Sequence, residues 1–266
     1  MLPDLTRKTL LDGRRALIGW TTGIGLFTLV YTSSFSSFQG NAQQAKDAQE
    51  RIPEGLASLM GGVGDLSTGA GYLQTVVFQL FLPLLVIACA TAWGNRAVAQ
   101  VEEAGSLDLL LSVPISRRRF IAERFLALAI GVALVTLVVW LIVLAMNAGL
   151  DMGVGFSRIT ATCLGLFLVG LGFGSLALAV GAFVGRRSVV LSVTGAAALG
   201  TYLLRSLSLD HEAIGPLRWL SPFQYYLGGN PLYNGFHPGH LAVLAFLVAA
   251  LAAVAAMVFD RRDIAT

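Results

Sequence analysis

Charge is scarce in this chain. Asp, Glu, Lys and Arg together make up 12% of its 266 residues, about half the share found in an ordinary soluble domain. With 56% apolar residues and a mean hydropathy of +0.74, the composition excludes a water-soluble fold and implies an integral membrane protein. Cysteine is rarer still: Cys89 and Cys163 both fall inside apolar runs, so a disulfide framework is excluded and both read as small buried hydrophobes. The sequence contains no GxxxxGK[ST], HExxH, GxSxG or CxxC. A nucleotide-cradling loop, a zinc-protease centre, a serine-hydrolase elbow and a dithiol centre are all therefore missing. Only three histidines occur, His211, His237 and His240. The spacing of the last two around Pro238 falls short of a metal-ligand pattern, and no metal site is expected. Apart from Arg205 at one rim, the apolar runs hold no ionisable residue, which argues against a proton- or sodium-coupled carrier.

What the chain has instead is a series of apolar runs long enough to cross a bilayer. They cover about residues 16–35, 76–93, 125–146, 159–184, 189–204 and 241–259, each near the length a hydrocarbon core requires. They predict an all-α, polytopic membrane protein with six transmembrane helices in a single domain spanning residues 1–266, with no room for a globular domain outside the membrane. The first run is expected to stay as an anchor, because no small-residue cleavage site follows it. Pro83 predicts a kink in the second run, and the fifth reads as short, with Arg205 reaching water from its edge. Gly19 with Gly23, Gly170 with Gly174, and Gly181 with Gly185 each form GxxxG, while Ala196 and Gly200 form a looser pair. Such pairs permit close helix approach, within one subunit or between two.

The segments between the runs are distinct in character. Residues 1–15 mix Arg7, Lys8, Arg14 and Arg15 with leucines, as in a helix lying among lipid headgroups, although a plain basic flank has the same composition. Residues 36–75 form the largest loop, and part of 52–73 is expected to rest as a short helix on the outer leaflet. Residues 206–239 carry Trp219, Phe223, Tyr225, Tyr226, Tyr233 and Phe236, the residue types of a membrane interface. If the N-terminus is cytoplasmic, six spans place Arg7, Lys8, Arg14, Arg15, Arg96, Arg117, Arg118, Arg119, Arg124, Arg186, Arg187, Arg261 and Arg262 on that side, thirteen of the 18 basic residues. The positive-inside rule then puts both termini in the cytoplasm. Topology alone explains the pI near 9.1, and no nucleic-acid partner is required.

The stretch VEEAGSLDLLLSVPISRRRFIAER, residues 101–124, stands apart as charged and amphipathic between two apolar runs. Val101, Ala104, Leu107, Leu110 and Leu111 share one helical face, with Glu102, Glu103, Ser106 and Asp108 on the others. Pro114 stops this helix near Ser112. Ser116 caps a second helix that opens with Arg117, Arg118 and Arg119 and continues into the third run. The periodicity by itself is equally that of a solvated loop. A chain with no energy source and no catalytic constellation is either passive or driven by a partner, and this cytoplasmic helix is where such a partner would dock.

The sequence resembles the permease subunits of type-2 ABC exporters. The likeness rests on Glu102, Glu103, Gly105, Ser106, Leu107, Asp108, Leu109, Leu110, Leu111, Ser112, Pro114, Ser116 and Arg117. It extends to Leu220, Ser221, Pro222, Phe223, Tyr225, Tyr226, Leu227 and Gly228, and to Phe259, Arg261, Arg262, Asp263 and Ile264, with Gln224 as a departure. The resemblance implies an N-terminal interfacial helix and a cytoplasmic coupling helix seated in a separate ATP-binding subunit. Glu102, Glu103, Gly105, Ser106, Leu107, Asp108 and Leu111 would then make or shape that contact, and Pro114 would set the corner. Arg117, Arg118 and Arg119 would anchor the junction at the membrane surface, and Trp219, Pro222, Phe223, Tyr225 and Tyr226 would form the segment closing the outer end. It also implies that this chain is no enzyme and holds no cofactor, with ATP and Mg on the partner. Two permeases, identical or siblings, would pair in the inner membrane. Two other readings compete: a factor that uses ATP-driven movement to assemble or mature a protein or metal-site client, and a passive channel subunit. The transported substrate is not legible.

Overall fold

A computed structural model describes residues 4–39, 41–53, 55, 57, 62–97, 116–210 and 212–261. The described residues form helices and turns with no strand. In chain order they are α1 (Asp4–Asp12), α2 (Arg14–Ser33), α3 (Ala42–Glu50), α4 (Gly69–Tyr72), α5 (Phe81–Ala97), α6 (Arg117–Gly149), α7 (Phe156–Val184), α8 (Arg187–Asp210), α9 (Pro222–Leu227), α10 (Pro231–Asn234) and α11 (Pro238–Arg261). Five of these, α2, α6, α7, α8 and α11, are long and apolar enough to cross a membrane. Counting the bent pair Gly69–Phe78 and Phe81–Ala97 as one span gives six.

The bend has a local cause. A wide π-type turn over Leu73–Phe78 follows α4, and α5 starts after Gln79 and Leu80 at an angle of 40°. Pro83 offers no N–H to the carbonyl of Gln79 four residues earlier, and its ring crowds that carbonyl. Within α5, Pro83 sits in the first turn, where the missing donor costs nothing. The expected kink is therefore present, one turn before the proline. The span is longer than its apolar run because Thr68 caps α4, its Oγ1 accepting from Gly71 N at 3.2 Å.

Helix α7 is the central stave, the most deeply buried of the crossing helices. Its glycines allow this. A Cβ on Gly170 would lie 2.6 Å from Val86 Cγ1, and one on Gly174 would lie 3.0 Å from Leu128 Cδ1. The Gly170/Gly174 pair is thus an intramolecular seam. Gly19 and Gly23 have nothing within 4 Å of a Cβ, so that pair faces outward. Helix α7 ends at Gly185, left-handed at φ 68°, whose N–H returns to Gly181.

Helix α1 and the end of α11 both pack against the start of α6 at one end of the bundle, here the base. Arg118 at the start of α6 pairs with Asp260 at the end of α11 at 2.9 Å, and Phe120 stacks on Phe259 with centroids 5.5 Å apart. At the opposite end, Tyr72 donates to the carbonyl of Tyr31 at 2.7 Å and Gln39 donates to the carbonyl of Leu150 at 2.9 Å. The turn between α6 and α7 is held by Asn147, whose amide donates to Val154 O at 3.0 Å and accepts from Val154 N at 3.1 Å.

Three expectations need correction. Gly69–Phe78 forms a bent pair with α5, and Leu66 and Tyr72 pack into the core at 4% and 2% exposure, so this end of 52–73 does not rest on the leaflet, while 54, 56 and 58–61 lie outside the described residues. Helix α8 runs 24 residues, so the fifth span is not short. Arg205 does not reach water: it is 7% exposed, because the 3-10 turn Glu212–Leu220 folds back against α8 and covers it.

Candidate functional site

At the base, the described chain resumes at Ser116. Glu102, Glu103, Gly105, Ser106, Leu107, Asp108, Leu111 and Pro114 lie outside the described residues. Ser116 caps α6 as its sequence suggests, with Oγ accepting from Arg119 N at 3.4 Å. Arg118 reaches Asp260, and Arg119 pairs with Glu123 one turn on, at 2.9 Å. The side chains of Arg118 and Arg119 remain 74% and 66% exposed, so each also presents charge to the surroundings. Exposed pairs of this kind contribute little stability; their effect is orientation.

Glu123 is a residue of the base that sequence reasoning did not single out. It is 5% exposed, and its second carboxylate oxygen accepts from the backbone N–H of Leu5 in the first turn of α1, at 3.1 Å. Its backbone carbonyl accepts from Thr6 Oγ1 at 3.2 Å. Next to it, buried Arg124 donates to Thr9 Oγ1 at 2.9 Å and lies over the Phe120 ring at 5.1 Å. A carboxylate at a helix N-terminus satisfies an otherwise unpaired donor and complements the helix dipole. Glu123 therefore caps α1 from another helix. In the sequence it is a single acid among four arginines, and the only local signal is the i, i+4 spacing to Arg119. Glu123→Ala is expected to release α1 at a cost of about 1–3 kcal/mol. Faster proteolysis within residues 4–12, with the crossing helices intact, checks this.

At the opposite end, Ser221 caps α9, accepting from Phe223 N at 3.2 Å while its hydroxyl donates to Thr201 O at 2.7 Å. Pro222, half-buried, is the first residue of α9, where a proline is pre-set for the helix. The inner face of α9 points into the bundle. Phe223 is fully buried between Tyr202 and Phe173, with centroids 5.3 and 5.9 Å away. Tyr226, 2% exposed, donates to the carbonyl of Phe78 at 3.1 Å. That carbonyl lies at the break above Pro83, so the tyrosine supplies a donor where regular helix pairing is interrupted. Gly165 makes room for the ring, since a Cβ there would lie 3.0 Å from Tyr226 Cδ2. Tyr226→Phe removes only this donor and is expected to cost about 1–3 kcal/mol, read as a lower unfolding midpoint in detergent.

The aromatic set expected at an interface thus divides. Phe223 and Tyr226 are core residues, Phe223 joining α9 to α7 and α8 and Tyr226 joining it to the broken span, because a short helix shows different faces to protein and lipid. Trp219, 45% exposed, lies outside and Tyr225 is half-buried at the edge of the core; they form a ring cluster with His240, with Trp219–Tyr225 centroids 5.9 Å and Tyr225–His240 centroids 5.6 Å apart. His237 joins at 5.5 Å from His240. Among the described residues no three His, Cys, Asp or Glu side chains come together as a metal site would need.

The architecture has crossing helices, a helix capped at the base and short helices plugging the far end, and comparison with known families agrees with it. Residues 4–264 match the family model for ABC-2 family transporter proteins. No curated protein matches the chain. With the match running across nearly its whole length, this chain belongs to the ABC-2 family of transporter membrane proteins, as a multi-pass membrane component that is not itself catalytic.

Proposed function

We propose that this chain is the permease subunit of an ABC exporter, driven by a separate ATP-binding subunit that docks on residues 101–112. The observation carrying this reading is the base. Residues 98–115, where the sequence pattern predicts an amphipathic helix, follow the end of α5 and lead at Ser116 directly into the ion pairs and stacked rings that tie α6 to α1 and α11. A movement imposed on that segment reaches three helices through short, rigid contacts, as alternating access requires. Leucines of the docking helix supply affinity and its carboxylates supply register. ATP and Mg act on the partner.

Thirteen of 18 basic residues fall at the base or in the segments adjoining it, which supports a cytoplasmic base, with both termini on that side of the inner membrane. A second permease packs against the outward faces of α2 and α8. On those faces Gly19, Gly23, Gly195 and Gly200 have nothing within 4 Å of a Cβ, and both helices are sparsely buried. Small residues on outward helix faces favour close helix–helix contact.

The test is co-purification from the native membrane in gentle detergent. A P-loop ATPase recovered with the chain, together with ATP-dependent flux after reconstitution, supports the reading. ATPase association without vectorial flux would favour assembly of a client. A homo-oligomer working without nucleotide would make it a passive channel.

A further inference from the structure

An arginine inside a membrane-crossing helix is costly to bury unless its charge is met, and such residues are rare there. Arg205 lies near the end of α8, 7% exposed beneath the 3-10 turn Glu212–Leu220, and its guanidinium Nε has no hydrogen-bond partner. It shares the buried face of α8 with Thr194, Ala198 and Tyr202, away from the open positions of Gly195 and Gly200. Tyr202 and Arg218, the latter in the covering turn, are close enough to interact with it electrostatically. Both are also incomplete: the hydroxyl of Tyr202, a residue 5% exposed, and the Nε of Arg218 are buried and unpaired. Phe223 holds the Tyr202 ring edge-on at 5.3 Å, and the Arg218 guanidinium lies over Trp219 at 5.6 Å. Beside Arg218, the turn and the end of α8 border an open recess of about 400 Å³, lined also by Ser208, Leu209, Gly215, Pro216 and Trp219.

Two guanidinium groups this near repel each other, and each buried N–H or O–H left unpaired costs free energy until an acceptor meets it. One oxyanion removes both costs. Its oxygens accept from the guanidinium N–H groups, whose planar fork matches phosphate, and from the Tyr202 hydroxyl. We infer that the outer end of α8 binds a phosphate-type oxyanion, with Arg218 at the mouth and Arg205 and Tyr202 as the inner donors. Trp219 beside it, 45% exposed, sits as interfacial tryptophans do at headgroup depth, so a lipid phosphate and a phosphate in solution can both reach the recess and present the same oxygens. The site requires neither the ATPase nor transport. Asp210 and Glu212 follow in the sequence, with side chains outside the described part of the chain. An ion pair from either to Arg205 is the competing account.

Thermal unfolding of the full-length, delipidated chain in a sugar-headed detergent separates the two, with inorganic phosphate, phosphatidylglycerol or chloride of matched ionic strength added. Phosphate or phosphatidylglycerol should raise the unfolding midpoint, and chloride should not. A rise with the lipid alone assigns the leaflet as the source; a rise with inorganic phosphate assigns solution. Arg218→Gln should weaken the apparent affinity about tenfold, and Arg205→Gln should abolish the rise. Arg158→Gln, an exposed position at the same end, should leave it unchanged. Without ligand, Arg205→Gln should not lower the midpoint, since it removes an unmet charge. No rise with either ligand, or an equal rise in Arg218→Gln, would overturn the proposal. So would a lowered ligand-free midpoint in Arg205→Gln that Asp210→Asn or Glu212→Gln reproduces, the signature of an internal ion pair.

Discussion

Gly94→Val is expected to prevent the bundle from closing. Gly94 lies in α5 where that helix crosses α7, and a Cβ there would run into the carbonyl oxygen of Gly174 and come within 2.9 Å of Ala177 Cβ. The contact is backbone on backbone, so no side chain can swing aside to make room. Across the seam, a Cβ on Gly174 would already be 3.0 Å from Leu128 and 3.2 Å from Ala90. Forcing extra carbons into a packed site costs about 1–3 kcal/mol where neighbours can shift, and more where the obstacle is a helix backbone. In a membrane, helices associate through packing and receive little compensation from burying apolar surface. The variant should insert but fail to purify as a monodisperse species, or show a markedly lower unfolding midpoint. Gly19→Val makes the comparison sharp, because that glycine faces open space. It should leave the unfolding of the single chain unchanged and, on the proposed pairing, weaken contact with a second permease. A wild-type midpoint for Gly94→Val would contradict the described seam.

The contrast between these two glycines marks what the sequence allowed. Both belong to stretches rich in small residues, and the one-dimensional pattern cannot say which face of a helix meets a neighbour; that depends on how α7 sits among the others. The long apolar runs were legible because the bilayer imposes a length, and Pro83 announced its bend because a missing N–H acts locally. The ends of the elements were not legible. Residues 69–75 look like loop, yet Thr68 caps a helix there and Leu66 and Tyr72 are buried. Glu123 was hidden by the four arginines around it, since its role depends on α1 folding back across a separation of 118 residues. Tyr226 and Tyr225 are neighbours of one type, but one is fully buried and the other only half-buried at the edge of the core. Arg205 looked like a rim residue until the turn that covers it was known.

The proposed docking segment, residues 101–112, lies outside the described residues; its sequence pattern and the family of the chain support it. Val101, Ala104, Leu107, Leu110 and Leu111 fall on one face, with Leu107 at its centre. A carboxylate placed there would enter an apolar contact without a counter-ion, a change that costs several kcal/mol when the surroundings are dry. The two arms that leave this segment, α5 and α6, would be untouched. Leu107→Asp should therefore leave insertion, topology and the unfolding midpoint as they are while removing partner binding or its consequence.

The decisive measurement is ATP hydrolysis and transport by the complex purified with wild-type chain and with Leu107→Asp, alongside the amount of ATPase recovered. The account predicts that the variant loses the ATPase by about thirtyfold or more, the size of a central hot-spot residue, or keeps it and hydrolyses ATP without transport. Transport at the wild-type rate by Leu107→Asp, with its ATPase still bound, would contradict the coupling role of residues 101–112.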